Sequence, residues 1–162
     1  MKKRLLFVDD ELKTGPVESM ESIRNYLDYY VLEFLDSGLF TIDGADGADS
    51  ALDLLASQNF DLVIVDVMIP ESEKLRQETG NAGDGVWTGI TLARDIHQKK
   101  PNLPIIILSN MAGEASNRNS SVFEELRREG VVQDVLFKLD NRPEDVLNTV
   151  NRILTEEVEA KP

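Results

Sequence analysis

The chain has no cysteine in its 162 residues. That excludes disulfides, a thiol nucleophile and thiolate metal sites, and it suits the cytoplasm. Histidine occurs once, as His97, beside Gln98-Lys99-Lys100. It has no partner set for catalysis or metal binding and is expected at the surface. Hydrophobic runs are short, none approaching the ~20 residues of a membrane span. The basic opening Met1-Lys2-Lys3-Arg4 is followed by an apolar run, Leu5 to Val8, that two aspartates end at once. Export is therefore not expected. Positive charge is scarce: 17 Lys and Arg stand against 30 Asp and Glu, a formal net charge of −13. Such a surface repels nucleic acid and anionic lipid, so neither direct nucleic-acid binding nor membrane insertion is expected. Glycine signatures for nucleotides are missing too. There is no G-x-x-x-x-G-K-[ST], and no G-x-G-x-x-G after the first apolar run.

What is present is an alternation. The length suits one domain, residues 1–162. Five apolar runs read as strands: Leu5–Val8, Phe40–Ile42, Leu62–Val67, Ile105–Leu108 and Val131–Leu139. The third and fourth are near-continuous branched stretches, the pattern of parallel strands covered on both faces. Helical spacings lie between them. Val17, Met20, Ile23, Leu27, Tyr30 and Phe34 recur at three and four, with Pro16 at the start and Gly38 past the end. Later stripes carry Ala51 to Leu55, then Ile90, Ala93 and Ile96, then Val122 to Leu126, then Val146 to Leu154. Five β-α repeats predict an α/β fold, a doubly wound parallel sheet of flavodoxin-like strand order 2-1-3-4-5. Two polar stretches interrupt it, Glu71–Asp84 after strand 3 and Ala112–Ser121 after strand 4. Both read as loops longer than α/β connections usually need. The tail Glu156–Pro162 reads as frayed.

Ligands in such sheets bind at the carboxyl ends of the strands, where strand order reverses. For this order, that rim collects Asp9 and Asp10 after strand 1, Asp66 near the end of strand 3, Ser109 ending strand 4 and Lys138 near the end of strand 5. Three carboxylates that close cannot all ionise without a compensating cation. All-oxygen donors suit a hard divalent ion, Mg2+ or its stand-in Mn2+. A carboxylate can serve as a nucleophile and form an aspartyl-phosphate. A metal and Lys138 would neutralise charge on a transferring phosphoryl group, and Ser109 could donate to one of its oxygens. Asp66 interrupts the run Leu-Val-Ile-Val-Asp-Val, and an acid in that setting needs a reason because its burial is costly.

Four motifs stand in order on these strand ends: Phe7-Val8-Asp9-Asp10-Glu11, Leu62 through Asp66 to Pro70, Ile107-Leu108-Ser109 and Phe137-Lys138. Together they resemble response-regulator receiver domains of two-component signalling, over nearly the whole chain. The resemblance implies a stand-alone cytoplasmic phosphorelay protein rather than an enzyme in the usual sense. It implies a phosphoacceptor at Asp66, a metal pair at Asp9 and Asp10, and a further metal ligand in the backbone carbonyl of Met68. It assigns Ser109 and Lys138 to reading the phosphoryl group, and Gly85 to the glycine opening the third helix. Implied partners are a histidine kinase or histidine phosphotransfer protein as donor, and a downstream protein target.

Some positions depart from that family. Leu139 stands where it usually has proline, Val135 where it commonly has tyrosine or phenylalanine, and Asn110 where a small residue is common. These departures motivate an alternative expectation, a receiver-like adaptor that works without phosphorylation. The stretch 71–84, emerging directly after Pro70, is expected to lie beside the site and to influence partner choice or phosphate lifetime.

Overall fold

The strands lie side by side in a doubly wound sheet with helices on both faces. In this computed structural model, residues 1–19, 21, 29–81, 83, 87–110 and 122–160 are described, with 29 and 157–160 by backbone only. Met20, Ile23 and Leu27 of the first helical stripe, Asp84, Gly85 and the stretch 112–121 lie outside the described residues.

The elements are β1 Lys3–Val8, β2 Gly15–Pro16, α1 Tyr29–Ser37, β3 Phe40–Ala45, α2 Ala48–Ser57, β4 Leu62–Val65, α3 Glu73–Thr79 and α4 Thr88–Lys99. They continue with β5 Ile105–Ser109, a helix α5 over 122–128, β6 Asp134–Phe137 and α6 Pro143–Ala160. Among the described residues the sheet has six strands in the order β2-β3-β1-β4-β5-β6. The five long ones are mutually parallel and carry the expected order.

Strand alternation divides the core. Leu5, Phe7, Leu62, Ile64, Ile106 and Leu108 face α1 and α6. Leu6, Val8, Val63, Val65, Ile105 and Ile107 face the layer of α2, α3, α4 and α5. Both faces being covered explains why these strands read as unbroken apolar runs.

Three expectations need correction. Pro16 and Val17 do not open a helix. Gly15 and Pro16 pair antiparallel with Gly44 and Asp43, and the Val17 amide donates to the Ile42 carbonyl at 2.9 Å. Gly15 has φ of 123°, a conformation open mainly to glycine, and the proline lies on the sheet edge, where its missing amide costs little. The tail is not irregular from Glu156, because the backbone of α6 is helical to Ala160.

Nor is the stretch 71–84 simply a loop: it contains α3. Ser72 caps that helix, its hydroxyl accepting from the Leu75 amide at 3.1 Å, and Gly80 ends it in the left-handed region at φ 77°. The Ser72 hydroxyl also donates to Asp49 on α2. Leu75 is fully buried in the core between α2 and α4. One buried leucine among seven helical residues is too weak a periodic signal to read from sequence.

Ion pairs at the edges of α3, Lys74 with Asp53 and Lys99 with Glu78, are exposed and contribute little. The docking energy resides in Leu75. Leu75→Ala should therefore destabilise the protein by about 2–5 kcal/mol in urea unfolding. Lys74→Ala should stay within about 0.5 kcal/mol of the parent. Equal, small effects would mean that α3 is not docked.

Candidate functional site

The sheet's own hydrogen bonds place the site. Beyond the last paired residues, the Asp66 amide donates to the Val8 carbonyl and the Asp9 amide to the Ala45 carbonyl, each at 2.9 Å. The Lys138 amide donates to the Ser109 carbonyl at 2.8 Å. Each of these side chains is thus launched from backbone held by a neighbouring strand, at the carboxyl edge where order reverses between β1 and β4.

Two carboxylates are also tied to turns. Asp9 Oδ1 accepts from the Glu11 amide at 2.9 Å, and Asp66 Oδ1 from the Met68 amide at 3.1 Å. Asp and Asn commonly make such bonds two residues on. Asp9, Asp10 and Asp66 then each present an oxygen within 4.8 Å of one another. Asp9 and Asp66 are nearly buried, whereas Asp10 is exposed. The Lys138 ammonium stands 3.6 Å from Asp9 Oδ2. Ser109 is fully buried at the end of β5. Met68 follows Asp66 in the same turn, with its side chain half exposed.

The electrostatics follow. Burial, then repulsion from Asp9, pushes the Asp66 carboxyl up from 3.8 to about 7, against the opposing pull of Lys138 and the Met68 amide. Asp10 is also raised, by partial desolvation first and then by Asp9 and Glu11. The donor set is all oxygen, it carries excess negative charge, and one lysine does not neutralise it. That is the chemistry of a site fitted to a hard divalent cation.

Beside Asp10 opens a hollow lined by Asp46, Gly47, Asp49, Ser50, Pro70 and Glu71. The start of the inserted stretch therefore borders the site.

Two contributors escaped the sequence. Gly85 lies outside the described residues, and Gly89 makes the close approach expected of an opening glycine. Its amide donates to the Val67 carbonyl at 3.0 Å, and a Cβ there would stand 2.1 Å from the Asp66 carbonyl oxygen. The other is Tyr30, read only as a core stripe residue. Its hydroxyl lies 2.8 Å from the Lys138 carbonyl and 2.7 Å from that of Asn141. A Thr-Gly-Ile at the start of a helix offered a signal for Gly89; no local signal connects residues 30 and 138.

Val135 is buried against the layer of α2 to α5. Phe137 lies on the same face, two residues on, with its ring edge-on to Phe123 at 5.6 Å. Trp87 packs on the other side of Phe123.

A doubly wound sheet with an acidic pocket at its switch point and a lysine facing it places the chain among α/β proteins that bind ligands at the carboxyl ends of their strands. The chain belongs to the response regulator receiver domain family, whose model matches residues 17–125. That span includes Asp66 and Ser109; Asp9, Asp10 and Lys138 join them through the fold. No curated protein sequence matches the chain.

Solved structures share the fold at low identity. A CheY-like response regulator receiver domain protein from Methanospirillum hungatei JF-1 is 19% identical, with TM-score 0.66 and 98% of each chain covered. The signal receiver domain of an HD domain-containing protein from Pseudomonas fluorescens Pf-5 is 22% identical, with TM-score 0.65, covering 98% of this chain and 99% of that one. NtrX from Brucella abortus is 20% identical in its complex with ADP, with TM-score 0.63, covering 97% of this chain and 28% of that one. Receiver domains are signalling domains of phosphorelays that bind Mg2+ at an acidic pocket and interact with histidine kinases and effectors. No described helix here is long and apolar enough to cross a membrane.

Two measurements probe this geometry. On helix propensity alone, Gly89→Ala would stabilise α4 by up to ~1 kcal/mol. The clash with Asp66 predicts the opposite, a lowered thermal midpoint. The raised Asp66 carboxyl has a sign as well. Its contribution to stability is whole below its unfolded value of 3.8 and is lost as pH rises through about 7. Without divalent cations, Asp66→Asn should exceed the parent in stability above pH 7, by an amount on the order of 4 kcal/mol. The gap should close towards pH 4, read by urea unfolding across pH.

Proposed function

We propose that this receiver takes a phosphoryl group onto Asp66 from a partner's phosphohistidine and passes the signal on by protein contacts. The observation that carries the reading is the meeting of Asp9, Asp10 and Asp66 within 4.8 Å, with Lys138 facing them. In the transfer, an Asp66 carboxylate oxygen forms the new bond to phosphorus while the histidine nitrogen–phosphorus bond breaks. The nitrogen leaves with its electron pair and takes up a proton. Asp9, Asp10, Asp66 and the Met68 carbonyl would hold Mg2+ (Mn2+ serving equally), which supplies charge neutralisation to the phosphoryl oxygens. Lys138 contributes a positive charge facing the acids, and Ser109 a hydroxyl donor at the end of β5. The domain assists its own phosphorylation and dephosphorylation and turns over no separate substrate. A cytoplasmic setting, a histidine kinase or phosphotransfer protein upstream and a protein target downstream complete the proposal. The inserted stretch 71–84, bordering the acidic hollow, is positioned to influence partner choice or phosphate lifetime.

A second reading is an adaptor that acts independently of phosphorylation. Val135 favours it, because a buried valine has no ring to change places when a hydroxyl residue moves.

Incubation with Mg2+ and acetyl phosphate should add the mass of one phosphoryl group to the intact protein. The gain should vanish in Asp66→Asn and with a chelator. No Asp66-dependent gain in the parent sinks the phosphoacceptor reading. Full partner binding and output from Asp66→Asn would favour the adaptor.

A further inference from the structure

Lys138 ends in an ammonium on four rotatable bonds, and holding it in one place costs side-chain entropy. Asp9 attracts it at 3.6 Å, longer than the ~2.8 Å of a charge-assisted hydrogen bond. The residue after it, Leu139, is 74% exposed and gives the chain little anchorage there. The amide of Lys138 is held by Ser109 on β5.

Tyr30, from α1, touches Lys138 at two points. Its hydroxyl shares one proton between the carbonyls of Lys138 and Asn141, at 2.8 and 2.7 Å. The Asn141 amide group in turn donates to the Phe137 carbonyl at 3.0 Å, closing the turn after β6. The Tyr30 ring lies under the Lys138 ammonium, 5.4 Å from nitrogen to ring centre. That is cation–π range, and a ring attracts an ammonium without neutralising it. Tyr30 itself is half-buried and packed on the core between α1 and α6.

The geometry points to Tyr30 as the positioning residue for Lys138, its hydroxyl setting the backbone and its ring setting the ammonium beside Asp9 and Asp66. The claim rests on the reading of Lys138 as the group that meets the phosphoryl oxygens. It gives α1 a part in the chemistry, because anything that shifts α1 moves the ammonium. The division of labour is specific: Tyr30→Phe keeps the ring and loses the hydroxyl, and Tyr30→Leu loses both.

The test is a double-mutant cycle on the full chain, reading the rate of Asp66 labelling by acetyl phosphate in Mg2+ by intact mass. Tyr30→Leu is expected to slow labelling about tenfold, and Tyr30→Phe only a fewfold. On a Lys138→Ala background, Tyr30→Leu should add nothing, because there is no ammonium left to position. Equal slowing on both backgrounds overturns the proposal, since a merely structural residue acts whether or not Lys138 is present.

A second readout does not depend on phosphorylation. In protein with 13C-labelled lysine, the Lys138 ε-methylene protons should show an upfield ring-current shift. Tyr30→Phe should keep that shift and Tyr30→Leu should abolish it. An unshifted Lys138 resonance in the parent overturns the proposal. A parent that shows the shift but takes up no phosphoryl group refutes the phosphoacceptor reading and leaves the placement of Lys138 by Tyr30 supported.

Discussion

Three carboxylates are held closer together than their charges would choose, and the surrounding structure serves to hold them there. Nothing local to Asp66 brings it to the adjacent pair Asp9 and Asp10. β1 and β4 do, by pairing in register from Leu5 with Leu62 to Val8 with Val65, so that the residues just past both strands emerge side by side. The cost shows in Asp66, whose carboxyl is pushed up to about 7 by burial and by Asp9. Such a pocket is a poor structural device, since a carboxylate of this kind opposes folding at neutral pH. Its chemistry matches the acidic pocket at which receiver domains bind Mg2+.

The rest of the fold can be ranked by how directly it serves that arrangement. The parallel sheet fixes where the acids start, with the Asp66 and Asp9 amides bonded to neighbouring strands. The turns after Asp9 and Asp66 aim one oxygen of each by bonding the amide two residues on. Gly89 lets α4 approach the Asp66 backbone within a distance that any side chain would forbid. Opposite, β6 and α1 supply the counter-charge: β6 launches Lys138, and the Tyr30 ring lies beneath its ammonium. The inserted α3 occupies the remaining flank, docked by Leu75 and tied to α2 through Ser72 and Asp49.

Departures from the usual receiver pattern lie on the strand that leads to Lys138. The strand leading to Lys138 carries a buried valine at 135, and its aromatic, Phe137, packs edge-on to Phe123, which in turn meets Trp87. Close packing of that kind has discrete alternatives rather than a continuous range.

The sequence by itself determined the class of fold and most of the pocket. Strands buried on both faces are apolar throughout, so β1, β4 and β5 announced themselves, and alternation with helices implied a parallel order that put five chemically apt side chains on one rim. An acid inside the run Leu62 to Val67 stood out because burial makes it expensive. Only the tertiary structure decided the rest. The strand at Gly15–Pro16 exists because β3 offers it an edge, and α3 forms because Leu75 finds a cleft between α2 and α4. Gly89 matters through a backbone that approaches it from 23 residues earlier, and Tyr30 through a lysine 108 residues later. Periodicity reports which face of an element is covered; it does not report what covers it, and these roles depend on what does.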